Sequence, residues 1–227
     1  MERVKLARGA FVLMGAALLI AGIHAAAVRG LADAHYTNAR LTLAESARAK
    51  GGPRPEALVA AIASMRQALA LEPANPHFVE QAARLQEMRL LGLQANDPAL
   101  REGLKQSLAR YREAALMRPG SPYVWAGIAT LKLRLDEMDF EFYGALERAA
   151  KFGPWEPAVQ LAIANMGLAS WQYLARPAKA PVIAALERGL QRQETSIRSI
   201  AAAHGNLQLV CAGGNLPPRL AALCVKK

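Results

Sequence analysis

Four acidic residues crowd one short stretch of the chain: Asp136, Glu137, Asp139 and Glu141. Carboxylates this close can divide the work of a general acid and a general base. The same spacing suits a solvated helix–helix turn whose acidic side chains face the positive end of the next helix, and the surrounding sequence favours that second reading. The four histidines, His24, His35, His77 and His204, stand far apart, and no two have metal-ligand spacing. The sequence holds no glycine-rich phosphate loop, nucleophile elbow or C-x-x-C. No catalytic, cofactor-binding or metal-binding residue is therefore assigned, and the chain reads as a non-enzyme without cofactor.

Two other residue classes carry information. Cys211 and Cys224 are separated by Gly213-Gly214 and Pro217-Pro218, which let the chain turn back and bring the sulfurs into range. A disulfide closing such a loop is worth about 3 kcal/mol in the chain-entropy account. Disulfides persist in oxidising compartments, so the pair points to export; two unrelated buried thiols are the alternative. Of 13 aromatic residues, seven lie between Tyr123 and Trp155. Trp125, Phe142 and Phe152 fall where side chains pack between helices. Tyr123, Tyr143 and Trp155 remain as candidate partner-binding residues, Trp155 foremost because Pro154 and Pro157 flank it.

The elements that must position these residues are helices. The 227 residues include 48 Ala and 32 Leu against 18 Val plus Ile, a balance that favours helical interiors over sheets. The expected fold class is all-α. From Gly9 to Val28 only His24 is polar, and about 20 helical residues reach roughly 30 Å, the depth of a bilayer core. Arg3, Lys5 and Arg8 precede this run, which predicts a cytoplasmic N-terminus and export of the chain beyond Val28. A cleaved signal peptide ending near Ala25-Ala26-Ala27 is the competing reading, but helical composition continues through Leu31 to Lys50 and favours an uncleaved anchor.

The net charge is +10, which attracts anionic partners: lipid headgroups, an acidic polymer such as an anionic glycan, or nucleic acid. No continuous block of Lys and Arg is present, which argues against nucleic acid.

Self-similarity organises the middle of the chain. Leu71-Glu72-Pro73-Ala74-Asn75-Pro76, Met117-Arg118-Pro119-Gly120-Ser121-Pro122 and Phe152-Gly153-Pro154-Trp155-Glu156-Pro157 share the order apolar, any, Pro, any, any, Pro. The first proline stops a helix and the second is tolerated in the first turn of another. The helices before these joints carry Ala61, Met65 and Ala68; Ser107, Tyr111 and Ala114; and Phe142, Leu146 and Ala149 at matching positions. After the joints come Ala82-Ala83, Ile128-Ala129 and Ile163-Ala164. These positions resemble tetratricopeptide repeats, with Phe142 departing from the small residue expected there. The joints are 46 and 35 residues apart, which predicts an insertion near Gln94 to Pro98.

Helices are expected at 55–71, 76–93, 98–117, 122–135, 138–151, 156–174, 180–192 and 194–204, after a break at Gly51-Gly52-Pro53. The resulting division is 1–28 anchor, 29–52 stalk helix, 53–177 tetratricopeptide-like solenoid and 178–227 helical cap pinned by the cysteines.

Ser121-Pro122-Tyr123-Val124-Trp125-Ala126, Gly153-Pro154-Trp155-Glu156-Pro157 and Val159-Gln160, together with the anchor, resemble the VpsP-like exopolysaccharide biosynthesis proteins. The resemblance implies a non-catalytic, membrane-anchored periplasmic accessory that partners inner-membrane polysaccharide synthesis or export proteins. It carries over no catalytic residue. From the residues alone the reading stops at an exported, anchored helical interaction module. An assembly factor for a pilus, secretion or cytochrome maturation complex is the alternative, and a glycan-modifying enzyme using the Asp136–Glu141 carboxylates is a weaker one.

Overall fold

A computed structural model describes residues 2–49, 54–94 and 96–225, with side chains from Phe11 onward. The Gly51-Gly52-Pro53 break and the side chains of Arg3, Lys5 and Arg8 lie outside the described residues. Among the described residues every regular element is helical. The chain divides into two compact units, one up to Leu85 and one from Gln86.

The first unit is built on α1 (Glu2–Arg48), a single helix of 47 residues. Eight large apolar side chains between Phe11 and Ile23 are exposed, Phe11 at 70% and Ile23 at 69%. Each would gain roughly 1.5–3 kcal/mol by leaving water, and this part of α1 is long and apolar enough to cross a membrane. Further along α1, Ala32, Ala39 and Ser46 are buried, and Tyr36 and Leu43 pack between them at alternating steps of four and three. That stripe lies on Ala61, Met65 and Ala68 of α2 (Pro55–Leu71). The segment expected to be a stalk is thus one half of a packed helix pair. Asn38 Nδ2 donates to Ser64 Oγ at 2.9 Å across it, and Phe78 and Leu85 of α3 (Pro76–Arg89) complete the core.

The second unit comprises α4 (Pro98–Met117), α5 (Pro122–Arg134), α6 (Phe140–Phe152), α7 (Pro157–Ser170), a 3-10 turn (Trp171–Tyr173), α8 (Arg176–Arg192), α9 (Glu194–His204), α10 (Leu207–Cys211) and α11 (Pro218–Val225). α5 packs on α4 and α6, and α8 on α7 and α9. Contacts also run from α5 to α7 to α9, and from α6 to α8, making two rows of helices. Glycine decides two of the closest approaches. A Cβ on Gly127 of α5 would stand 2.5 Å from the ring of Tyr111 on α4, and one on Gly167 of α7 would overlap the side chain of Val182 on α8.

The three proline joints close with the same hydrogen bonds. Glu72, Arg118 and Gly153 donate their backbone N–H to Ala68, Ala114 and Ala149, ending each helix. Asn75, Ser121 and Glu156 then donate back to Glu72, Arg118 and Gly153 at 3.1, 3.0 and 3.2 Å. Trp125 and Gln160, each six residues after the first proline, both donate a side-chain N–H to that proline's carbonyl, Pro119 at 2.7 Å and Pro154 at 2.8 Å. A fourth joint lacks prolines. Val182, Leu186 and Gly189 repeat the four-then-three spacing, and Gln193 N–H closes α8 on Gly189 O at 2.7 Å.

Several expected boundaries move. The extra length between the first two joints lies largely in α4, which has 20 residues where α6 has 13, rather than in an insertion near Gln94 to Pro98. α3 ends at Arg89 rather than at 93, because turns through Leu90 and Leu91 bond back to Glu87 and Met88. α8 begins at Arg176, earlier than expected. Pro177 sits in its first turn, where no N–H is needed, and Pro181 costs one bond further in. Cys211 and Cys224 are joined in a disulfide with Cα atoms 5.7 Å apart. The Glu187 carboxylate accepts from the N–H groups of Arg219 and Leu220, tying the start of α11 to α8.

Candidate functional site

The acidic stretch forms a closed ion network at the α5–α6 turn. Lys132, on the last turn of α5, is 3% exposed at its side chain and puts Nζ 2.6 Å from Glu137 and 2.7 Å from Asp139. Glu141 lies 3.5 Å from the same nitrogen and pairs with Arg112 of α4 through two hydrogen bonds of 2.7 and 2.5 Å. Asp139 also caps α6, accepting from Glu141 and Phe142 N–H at 3.1 Å. Asp136 takes a left-handed φ of 61° at the bend that lets the chain double back onto Lys132.

These contacts favour the charged forms of Asp139, Glu141 and Lys132. Hydrogen bonding from Lys132 holds the Asp139 carboxyl below its usual range, and Arg112 does the same for Glu141. Burial alone would lower the Lys132 ammonium, but its bonds to Asp139 and Glu137 outweigh that and raise it. A general acid needs a carboxyl whose pKa is pushed up; Asp139 and Glu141 are pushed the other way. The arrangement is built to hold a turn shut.

A second feature is open. α6 and α8 flank a groove of about 810 Å³. Pro177, Pro181 and Ala184 lie on its α8 side, Leu146 and Ala150 on its α6 side, and Phe140 and Tyr143 also line it. Phe140 is 96% exposed. Its charged lining consists of Lys151 and Arg188 against Glu147. Arg188 Nε is buried without a hydrogen-bond partner, and burial pulls the guanidinium below its ordinary range.

The three residues singled out from sequence relate to this groove differently. Tyr143 lines it, half-buried, its hydroxyl donating to Tyr173 O at 3.4 Å. Trp155 is 57% exposed and stacks against two guanidinium groups, Arg188 at 5.5 Å and Arg192 at 5.8 Å from the ring centre. Arg188 therefore joins Trp155 to the groove. Tyr123 is exposed and donates to Glu156, the neighbour of Trp155, without reaching the groove lining itself. Phe142 is fully buried, whereas Phe152, expected to be core, is 42% exposed with Lys151 above its ring. Trp125 is half-buried under Arg148.

Sequence reasoning did not find Arg188 or Lys151. The available signal was weak: Arg188 and Arg192 one helical turn apart on α8. Among the described residues no group of three or more His, Cys, Asp or Glu is arranged to hold a metal ion.

No family model matches this chain, and no curated protein or solved structure does either.

Proposed function

We propose that this protein is a non-catalytic, membrane-anchored scaffold or accessory protein of exopolysaccharide biosynthesis or export. In this reading α1 sits in a bacterial inner membrane with its N-terminus in the cytoplasm. The helical body lies in the periplasm and binds partner proteins through a tetratricopeptide-like solenoid. The observation that carries it is the union of two features in one chain. An apolar helix is left without protein packing between Phe11 and Ile23, and the body beyond it is made of helices closed by matching joints. Bare apolar surface of that extent is stable in a bilayer and costly in water. Stacked helix pairs leave long exposed faces suited to binding.

The disulfide supports an oxidising compartment. The network around Lys132 supports a structural role for the acidic turn and weakens the glycan-modifying alternative, since Lys132 and Arg112 hold the Asp139 and Glu141 carboxyls below their usual range. The pathway itself rests on the resemblance of the Ser121–Ala126, Gly153–Pro157 and Val159-Gln160 motifs together with the N-terminal anchor.

Affinity isolation of the full-length protein from native membranes, with mass identification of what co-purifies, tests the proposal. Glycosyltransferases or a polysaccharide transporter are the expected partners. A pilus, secretion or cytochrome maturation complex in their place would overturn the pathway and favour the assembly-factor reading.

A further inference from the structure

The lining of the groove between α6 and α8 has a chemistry that specifies what would fit it. Its floor is apolar and shallow in side-chain length, built from prolines and alanines that let another chain come close. Phe140 stands at its edge almost wholly in water, an expensive place for a phenylalanine unless something covers it. Its cations exceed its anions: Lys151 and Arg188 line it, Arg192 adjoins through Trp155, and Glu147 is the single carboxylate in the lining. None of these three cations has a carboxylate partner among the described residues, in contrast to Lys132 and Arg112 nearby.

We propose that this groove seats a short segment of a partner protein presenting a large apolar side chain beside an Asp or Glu. The apolar side chain lies on Pro177, Pro181 and Ala184 against Phe140, and the carboxylate meets Arg188 and Lys151. The proposal deepens the scaffold reading, from which it takes only that the helical body binds protein.

Two other occupants fit less well. A second copy of this chain carries +10 and would bring like charge to a cationic groove. A glycan would bring hydroxyl groups that need acceptors and donors along their length. The side chains lining the groove supply polar groups only at Tyr143, Glu147, Lys151 and Arg188.

The test is selection followed by titration. Random short peptides displayed on phage are panned against the full-length protein in detergent micelles. Enriched peptides are then labelled and titrated by fluorescence anisotropy against the parent protein and against Phe140→Ala, Lys151→Gln and Arg188→Gln. Oligogalacturonate is titrated in parallel. Phe140 and Lys151 are exposed, so their substitution leaves the packing intact even if Arg188→Gln disturbs Trp155. The expected result is enrichment of Asp or Glu next to Leu, Ile or Phe, with affinity falling about tenfold in the Phe140 and Lys151 variants and further at raised salt. Enriched peptides without acidic residues would overturn the proposal, as would binding that ignores these substitutions. Oligogalacturonate binding that is lost in the same variants while no peptide is enriched would overturn it in favour of a glycan. No polysaccharide machinery enters this readout. A groove that selects acidic apolar peptides stands even if the pathway fails, and the pathway stands if the groove fails.

Discussion

Lys132→Met isolates the contribution of the acidic turn. Methionine keeps most of the buried stem of Lys132 and removes only the ammonium. The substitution deletes two short charge-assisted bonds, 2.6 Å to Glu137 and 2.7 Å to Asp139, and the weaker attraction to Glu141 at 3.5 Å. Such bonds contribute about 1.5–3 kcal/mol each when well shielded. The carboxylates are 37% and 53% exposed, so water replaces part of the loss and the two together are worth about 2 kcal/mol at neutral pH. For a domain of this size that lowers the melting temperature by about 4–8 °C, read by far-ultraviolet circular dichroism on the full-length protein in detergent.

The pH dependence gives a second handle. Asp139 and Glu141 both have depressed folded pKa values. Their contribution is fully present above the unfolded value of about 4 and is lost as pH falls through the lower folded value. The parent protein therefore loses stability on acidification through that window, whereas the variant loses less, and the gap between them closes. A variant as stable as the parent at neutral pH, or a gap of the same size in acid, would refute the assignment of Lys132 as the centre of the network.

Three further outcomes are expected from the packing and the anchor. Gly127→Ala places a Cβ 2.5 Å from the Tyr111 ring and is expected to cost about 1–3 kcal/mol, measured by thermal melting, with Tyr111→Leu in the same chain recovering part of it. Reduction of Cys211–Cys224, or Cys211→Ser with Cys224→Ser, removes about 3 kcal/mol; hydrogen exchange should quicken in α10 and α11 first, with α11 retaining partial protection from Glu187. A chain lacking residues 1–28 should be released by alkaline extraction of membranes that retain the full-length protein, and a phosphatase fused after Val225 should be active only if that end is periplasmic.

The proline joints were legible because each is a local device: a proline that stops one helix and a proline that starts another need only a few neighbours to act. The fourth joint, at Gln193, was not, since it reaches the same closure without prolines and its Val182 and Gly189 differ in size from the residues at the other joints, only Leu186 matching Leu146. Phe152 shows the limit of reading burial from residue type, for this expected core phenylalanine ends 42% exposed, as Met117 at the matching position is 38% exposed.

Composition and period alone determined that the chain is helical, that α1 carries an apolar run of membrane length, and where three of the helix pairs turn. Those properties come from preferences of single residues and of neighbours three or four apart. The candidate sites do not. Arg112 meets Glu141 across 29 positions, and Arg188 reaches Trp155 from a different helix. The sequence records which charges exist; which carboxylates are neutralised, and which cations are left facing an open groove, is set by the distances that packing α4, α6 and α8 imposes.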